Sequence, residues 1–298
     1  MKLGKTGIGR MVFNIFNVTF LSLVSFVCIY PFYYVIIYSI SNAANNLTNL
    51  TFLPSGFSLA AFIGIFHSKD VSIAIGVSAL RTILGTIITL ICCTFFAFIV
   101  SKKEMYLRKF VYRYLILTMY INAGLIPWYL TMRAYGLKNN FLLYIVPSAL
   151  SAFFVILIKT YIDQLPPSLE ESAKIDGAGY LRIFVSIIVP ISGPIIATIA
   201  VYTSVAQWNS WQDNYFLMNS SPFQTLQLTL YNYLNQAQQF THMTSEEMGN
   251  LSHSNRSIIT PDSIKMAITV ITIIPIMFVY PFFQKYFVKG LMLGAVKG

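Results

Sequence analysis

Hydrophobic and polar positions fall in long blocks along this chain rather than alternating with a short period. Six mainly apolar stretches lie at about 12–40, 71–100, 114–132, 141–158, 183–206 and 266–283. Each reaches the roughly 20 residues that carry an α-helix across the hydrocarbon layer. The second holds Arg81 in its outer half and has an uncharged core at about 82–100. The pattern predicts an all-α, polytopic membrane protein with six transmembrane helices forming one domain over residues 1–298. Pro31, Pro127, Pro147, Pro190, Pro194, Pro275 and Pro281 interrupt these stretches. Spans tolerate proline because neighbouring helices re-satisfy the freed carbonyls.

Composition strengthens this reading. The 298 residues are 56% hydrophobic and only 10% charged, and mean hydropathy is +0.66. Soluble domains carry about 25% charged residues, so most of this surface is matched to lipid. The first stretch follows Lys2, Lys5 and Arg10, as a signal peptide would. Its apolar run is far longer than the 7–15 residues or so of a signal core, so it is expected to stay as the first span.

The net charge of +10 points to membrane orientation, not to nucleic acid, because the basic residues form no patch. One set of alternate connections holds Lys2, Lys5, Arg10, Lys102, Lys103, Arg108, Lys109, Arg113, Lys159, Lys174, Arg182, Lys285, Lys289 and Lys297. The other holds only Lys69, Arg81, Arg133, Lys138, Arg256 and Lys265. The positive-inside rule then places both termini in the cytoplasm. Aromatic residues near the run ends, including Trp128, Tyr129, Trp208 and Trp211, suit interfacial belts.

Catalytic chemistry finds little support. Cys28, Cys92 and Cys93 lie in apolar runs without metal-ligand spacing. His67, His242 and His253 fall in the outer connections with no evident ligand partner. No phosphate-binding G-x-x-x-x-G-K-[ST] loop and no H-E-x-x-H pair occurs. The uncharged span cores lack the ionisable relays of proton-coupled carriers. Active transport by this chain would therefore draw its energy from another subunit. The outer segment 207–264 is rich in Asn, Gln, Ser and Thr, with room for a short helix at about 226–234. Connections of this length are usually functional or disordered, and partner contact is one reading.

The informative inner loop is 164–182. Pro166 and Pro167 stop the preceding span. Ser168 is expected to N-cap a short helix, with Glu171 three residues on completing a capping box. Glu170 and Glu171 suit the first turn, where the helix dipole favours anions. Gly177 is expected to end the helix in a left-handed conformation. Small Ser172 and Ala173 leave room for close approach by another protein, with Asp176 alongside.

This loop resembles the E-A-A-x3-G-x9-I-x-L-P signature of ABC-importer permeases. Glu171, Ser172 and Ala173 fill its first places, Gly177 its glycine, and Ile187, Val189 and Pro190 its end. Ser172 and Val189 depart from the pattern. The longer run from Glu170 to Ala178 is similar to that of carbohydrate importers. The position between the fourth and fifth spans, and the Gln284 to Gly298 tail, also resemble the six-span maltose-importer type.

The resemblance implies the type I ABC-importer permease fold, a bacterial inner (cytoplasmic) membrane location and a transport role rather than an enzymatic one. It implies a second permease chain, two ABC ATPase subunits and an external solute-binding protein. No cofactor is expected in this chain, ATP and magnesium being held by the ATPases. Ser168, Glu170, Glu171, Ser172, Ala173, Asp176 and Gly177 would form the coupling helix seated on an ATPase, and Pro190 would set the exit angle of the fifth span. For a sugar pathway, Asn122, Gln207, Trp208, Asn209 and Trp211 have suitable chemistry; the tryptophans also suit interfacial anchoring. A permease for a non-sugar solute, and a channel or carrier working without an ATPase, remain as alternatives at this point.

Overall fold

The computed structural model describes residues 8–42, 53–54, 56–218, 222–241 and 262–278. The predicted inner tail from Gln284, together with His242 and His253, lies outside them. The chain divides into two compact units, one of residues 1–68 and 233–271, the other of 69–232 and 272–298.

The first unit begins with α1 (Ile8–Ser39), which contains Pro31. Residues 9–33 are exposed without exception, so this helix has no buried stripe along most of its length. Its 31 residues from Gly9 to Ser39 are long and apolar enough to cross a membrane. A tight return follows, with Ser41 bridging Phe57 and Gly56 at φ 76°. It leads into α2 (Ala60–His67), whose terminal His67 ring lies 2.8 Å from the Ile63 carbonyl.

The second unit is organised around α3 (Lys69–Ser101). Beyond its first turn, its large exposed side chains, Ile73, Leu80, Ile83, Ile87, Ile91 and Phe95, are apolar. Its buried line instead runs through Ser78, Arg81, Gly85, Thr89 and Cys93. Spacings of three and four put these residues on one face. The helix is inside-out relative to a helix in water. This makes sense where lipid is as apolar as leucine and association rests on close packing and hydrogen bonds.

Two predicted spans are broken. The stretch 114–132 is split into α4 (Arg108–Tyr120) and α5 (Leu125–Ala134). Between them Gly124 takes φ 81°, and its N–H donates to Asn122 Oδ1 at 2.9 Å. The stretch 141–158 opens with a 3-10 turn, Phe141–Tyr144, capped by Asn140. It unwinds over 145–151 and resumes as α6 (Ala152–Ile162). Pro147 in the unwound part can donate no helical hydrogen bond.

After α7 (Ser168–Ile175), the predicted span 183–206 is bent by 78°. Its first arm consists of α8 (Tyr180–Ile183), a π turn (Phe184–Ile188) and α9 (Val189–Ile191). Its second arm is α10 (Gly193–Asn209). Pro190 follows the π turn, and Gly193 and Pro194 open the next helix, so the backbone turns where its donors are missing. Then come α11 (Gln212–Leu217), α12 (Leu226–Thr241) and α13 (262–278). The polar segment 207–264 thus starts within α10, and its expected short helix is a 16-residue one.

Helix α3 packs along α10 and α6. At one end Phe98, Val155, Ile158, Ile183, Ile188 and Ile199 form a core. At the other, Val77, Leu143, Tyr144, Leu217 and Met218 form a second.

Candidate functional sites

The loop helix α7 starts one residue earlier than a serine cap would allow. Pro167, at φ −56° and ψ −30°, occupies the N-cap and no side chain caps the helix. Ser168 is its first residue, so the predicted capping box does not form. Proline's fixed φ is already helical, and the Pro166 and Pro167 carbonyls accept the first N–H groups, from Leu169, Glu170 and Glu171.

The other end is as predicted. Gly177 takes φ 77°. Its N–H donates to Lys174 O at 3.0 Å, and Ala178 N–H to Ala173 O at 2.9 Å. This paired closure is the Schellman motif. Pro190 sits just before the 78° bend of the following arm.

The two faces of α7 do different things. Ala173, 8% exposed, packs into the chain's own core with Ile158, Ile162 and Ile183. It is therefore not open to another protein, contrary to expectation. Glu170 pairs with Lys102 at the end of α3, and the Lys102 ammonium lies 4.1 Å from the Phe98 ring centroid. Lys174 reaches Glu104 at 3.5 Å. The Glu104 carboxyl is held below its usual range by its own backbone amide and by Lys174. Lys174 is raised overall, because Tyr180 and Glu104 outweigh its loss of solvation.

Ser168, Glu171, Ser172 and Ile175 remain exposed. Their spacing of three, four and seven makes one continuous stripe. Ile175 is 87% exposed, an apolar end on an otherwise polar surface, with Asp176 exposed beside it.

Beside the middle of α3 lies a cavity of about 720 Å³. Its walls come from α3, α5, α6, α10 and α11, from the 3-10 turn Phe141–Tyr144 and from the two unwound stretches at 121–124 and 145–151. Non-helical backbone at membrane depth persists only where protein or a watery cavity satisfies it. Here the polar face of α3 performs that task. Thr89 Oγ1 donates to Ser148 O at 2.9 Å, and Ser151 N–H lies 3.3 Å from Cys93 Sγ. Gln207 Nε2 donates to Ser148 Oγ at 2.7 Å and to Tyr144 O at 3.3 Å. Gly85 admits Gln207, since a Cβ at Gly85 would sit 2.6 Å from Gln207 Nε2.

Arg81 anchors the same network. It is 3% exposed and binds Asp213 through both guanidinium arms, at 3.1 and 2.5 Å. Its Nε donates to Gln207 Oε1 at 3.0 Å and Nη1 to Ser210 O at 3.2 Å. The Tyr144 ring centroid lies 4.4 Å from the guanidinium carbon. Arg81 lies within α3, as expected of the second span, and there it is a buried, paired charge.

Of the predicted pathway residues, Asn122 and Gln207 line this cavity. The other three do not. Trp208 is buried and donates from Nε1 to Thr272 O at 2.9 Å. Trp211 stacks on Tyr231 with centroids 4.3 Å apart. Asn209 is exposed outside the lining. Trp128, expected at an interface, does contribute to the wall. Arg81 and Asp213 were missed as a pair; a lone ionisable residue within an apolar stretch was the available signal.

Residues 93–292 match the family described as the binding-protein-dependent transport system inner membrane component. The chain is 32% identical to the polygalacturonan/rhamnogalacturonan transport system permease protein YtcP of Bacillus subtilis, across 96% of this chain and 99% of that protein. It is 34% identical to protein LplC of the same organism, across 98% and 97%. Its fold matches a chain in the crystal structure of a bacterial ABC transporter involved in the import of the acidic polysaccharide alginate. There the TM-score is 0.85 at 28% identity, covering 94% of this chain and 98% of that one. The all-helical architecture is that of an ABC-importer permease, a membrane transport subunit, and the chain belongs to the binding-protein-dependent transport system inner membrane component family.

Proposed function

We propose that this chain is one permease half of an ATP-driven importer for a sugar or oligosaccharide. Two ABC ATPases drive it, a second permease chain completes its pathway, and an external binding protein supplies its substrate. Both termini lie in the cytoplasm, and ATP and magnesium are held by the ATPases. The carbohydrate assignment draws on the substrates named for similar permeases, which include polygalacturonan, arabinooligosaccharides, melibiose and maltodextrin.

The observation that carries the reading is the division of α7. Its inner face is held by Ala173 and the Glu170–Lys102 pair. Its outer stripe of Ser168, Glu171, Ser172 and Ile175 is free among the described residues. A helix fixed to its own chain on one side and open on the other passes on a push delivered to the open side. When ATP closes the ATPase pair, α7 moves with its seat, and the rigid core behind Ala173 follows. The permease then switches between inward- and outward-facing states as a rigid body. The cavity that Asn122 and Gln207 help to line is this chain's part of the pathway.

The test is to co-purify the chain with its ATPase and partner permease and to measure ATP hydrolysis stimulated by the loaded binding protein. Glu171→Ala, which removes the one charge on the outer stripe, is expected to lose most of that stimulation while the basal rate and the helix persist. Absence of any associating ATPase, or full stimulation in the variant, would favour a channel or carrier that works alone.

A further inference from the structure

The cavity wall described above carries one guanidinium and one carboxylate, Arg81 and Asp213, and each is spent on the other. Arg81 uses Nε on Gln207, Nη1 on Ser210 O and Asp213, and Nη2 on Asp213. The ring of Tyr144 lies against the guanidinium. Among the described residues, no other side chain charged at neutral pH lines the cavity. What the wall offers is uncharged: the amides of Asn122 and Gln212, the indole of Trp128, hydroxyls and the unwound backbone at 145–151.

We propose that this chain's wall binds an uncharged glycosyl unit and selects against a uronate. Amides, hydroxyls and an aromatic face match the hydroxyls and the C–H face of a pyranose ring. A carboxylate entering here would leave water without gaining a free cation, and burying an unpaired charge is costly. The Arg81–Asp213 pair is thus a selectivity element: Asp213 keeps Arg81 from acting as an anion site. This inference rests on the reading of the cavity as pathway. It runs against the substrates of two similar transporters, whose names specify polygalacturonan and the acidic polysaccharide alginate.

The experiment uses the full complex with its partner permease and ATPases in nanodiscs, without the binding protein. Radiolabelled α-1,4-galactobiose and α-1,4-digalacturonate are compared by equilibrium dialysis; they share a linkage and differ in charge. Wild type is expected to prefer galactobiose. Asp213→Asn, which frees the Arg81 guanidinium, is expected to shift the ratio toward digalacturonate by about tenfold or more. The double variant Arg81→Gln/Asp213→Asn removes both charges and is expected to restore the neutral preference, which separates selectivity from misfolding. A wild-type preference for digalacturonate, an unchanged ratio in Asp213→Asn, or binding of neither sugar overturns the proposal. Thiol labelling of Asn122→Cys in the same complex separates this failure from failure of the pathway reading. Labelling that changes with a non-hydrolysable ATP analogue keeps the pathway even if the neutral wall is wrong. Absence of labelling in every nucleotide state removes both.

Discussion

Helices α1 and α3 are nearly equal in length, 32 and 33 residues, and similarly apolar, yet they are built in opposite ways. Residues 9–33 of α1 present no buried side chain. Helix α3 buries Ser78, Arg81, Gly85, Thr89 and Cys93 and turns Ile73, Ile83, Ile87 and Ile91 outward. In water the hydrophobic effect would forbid that arrangement. In lipid it does not oppose it, and hydrogen bonds decide which face goes inside. The polar face of α3 is needed because its neighbour is unwound at 145–151 and must have its backbone groups satisfied. The cavity and the polar face therefore share one cause.

The largest expected effect comes from breaking that face. Arg81→Leu leaves Asp213 buried without its partner, a loss of about 3–5 kcal/mol for a buried pair. Denaturant unfolding of the purified permease would read it, whereas Phe26→Leu in α1 should leave stability unchanged. Next is Gly85→Ala. Its new Cβ would meet Gln207 Nε2 at 2.6 Å, an overpacking cost of about 1–3 kcal/mol. Gly9→Ala in α1 meets nothing within 4 Å and should be neutral or slightly stabilising.

Gly177→Ala sharpens a second contrast, between the ends of α7. A Cβ at φ 77° costs about 1–2 kcal/mol, whereas Ser168→Ala should cost almost nothing because no side chain caps that end. Thermal melts of the two variants would rank them.

The smallest effect belongs to Lys174→Gln. Glu104 is lowered, so its contribution is present above the usual carboxylate range and fades as pH falls through it. Lys174 is raised, so its contribution is present below the usual lysine range and fades as pH rises through it. At neutral pH both are charged, but the pair is solvent-screened, and no resolvable change in melting temperature is expected. Lys102→Gln, which strands the half-buried Glu170, should be clearly worse.

The contrast also explains what could be read from sequence. Block hydropathy marks lipid contact, so α1 and α3 were visible as stretches. The motif around Glu171 to Gly177 was visible because left-handed glycine closure is a local property. The breaks at 121–124 and 145–151 were not, because single residues such as Asn122, Gly124, Pro147, Ser148 and Ser151 are also tolerated within continuous spans. Arg81 and Asp213 lie 132 positions apart, and no local pattern pairs them. Trp208 had interfacial chemistry, but its partner is the Thr272 carbonyl on α13, which only the fold supplies. Ser168 was misread because the statistics of serine caps outweighed a proline already set at a helical φ.

The claim on which the transport account turns is that the outer stripe of α7 seats on an ATPase. Site-specific incorporation of the photo-cross-linking residue benzoylphenylalanine at Ile175, with Phe26 on α1 as the exposed control, tests it in the assembled complex. A cross-link from Ile175 to an ATPase subunit, and none from Phe26, is the predicted result. No ATPase product from Ile175, or equal products from both positions, would contradict it.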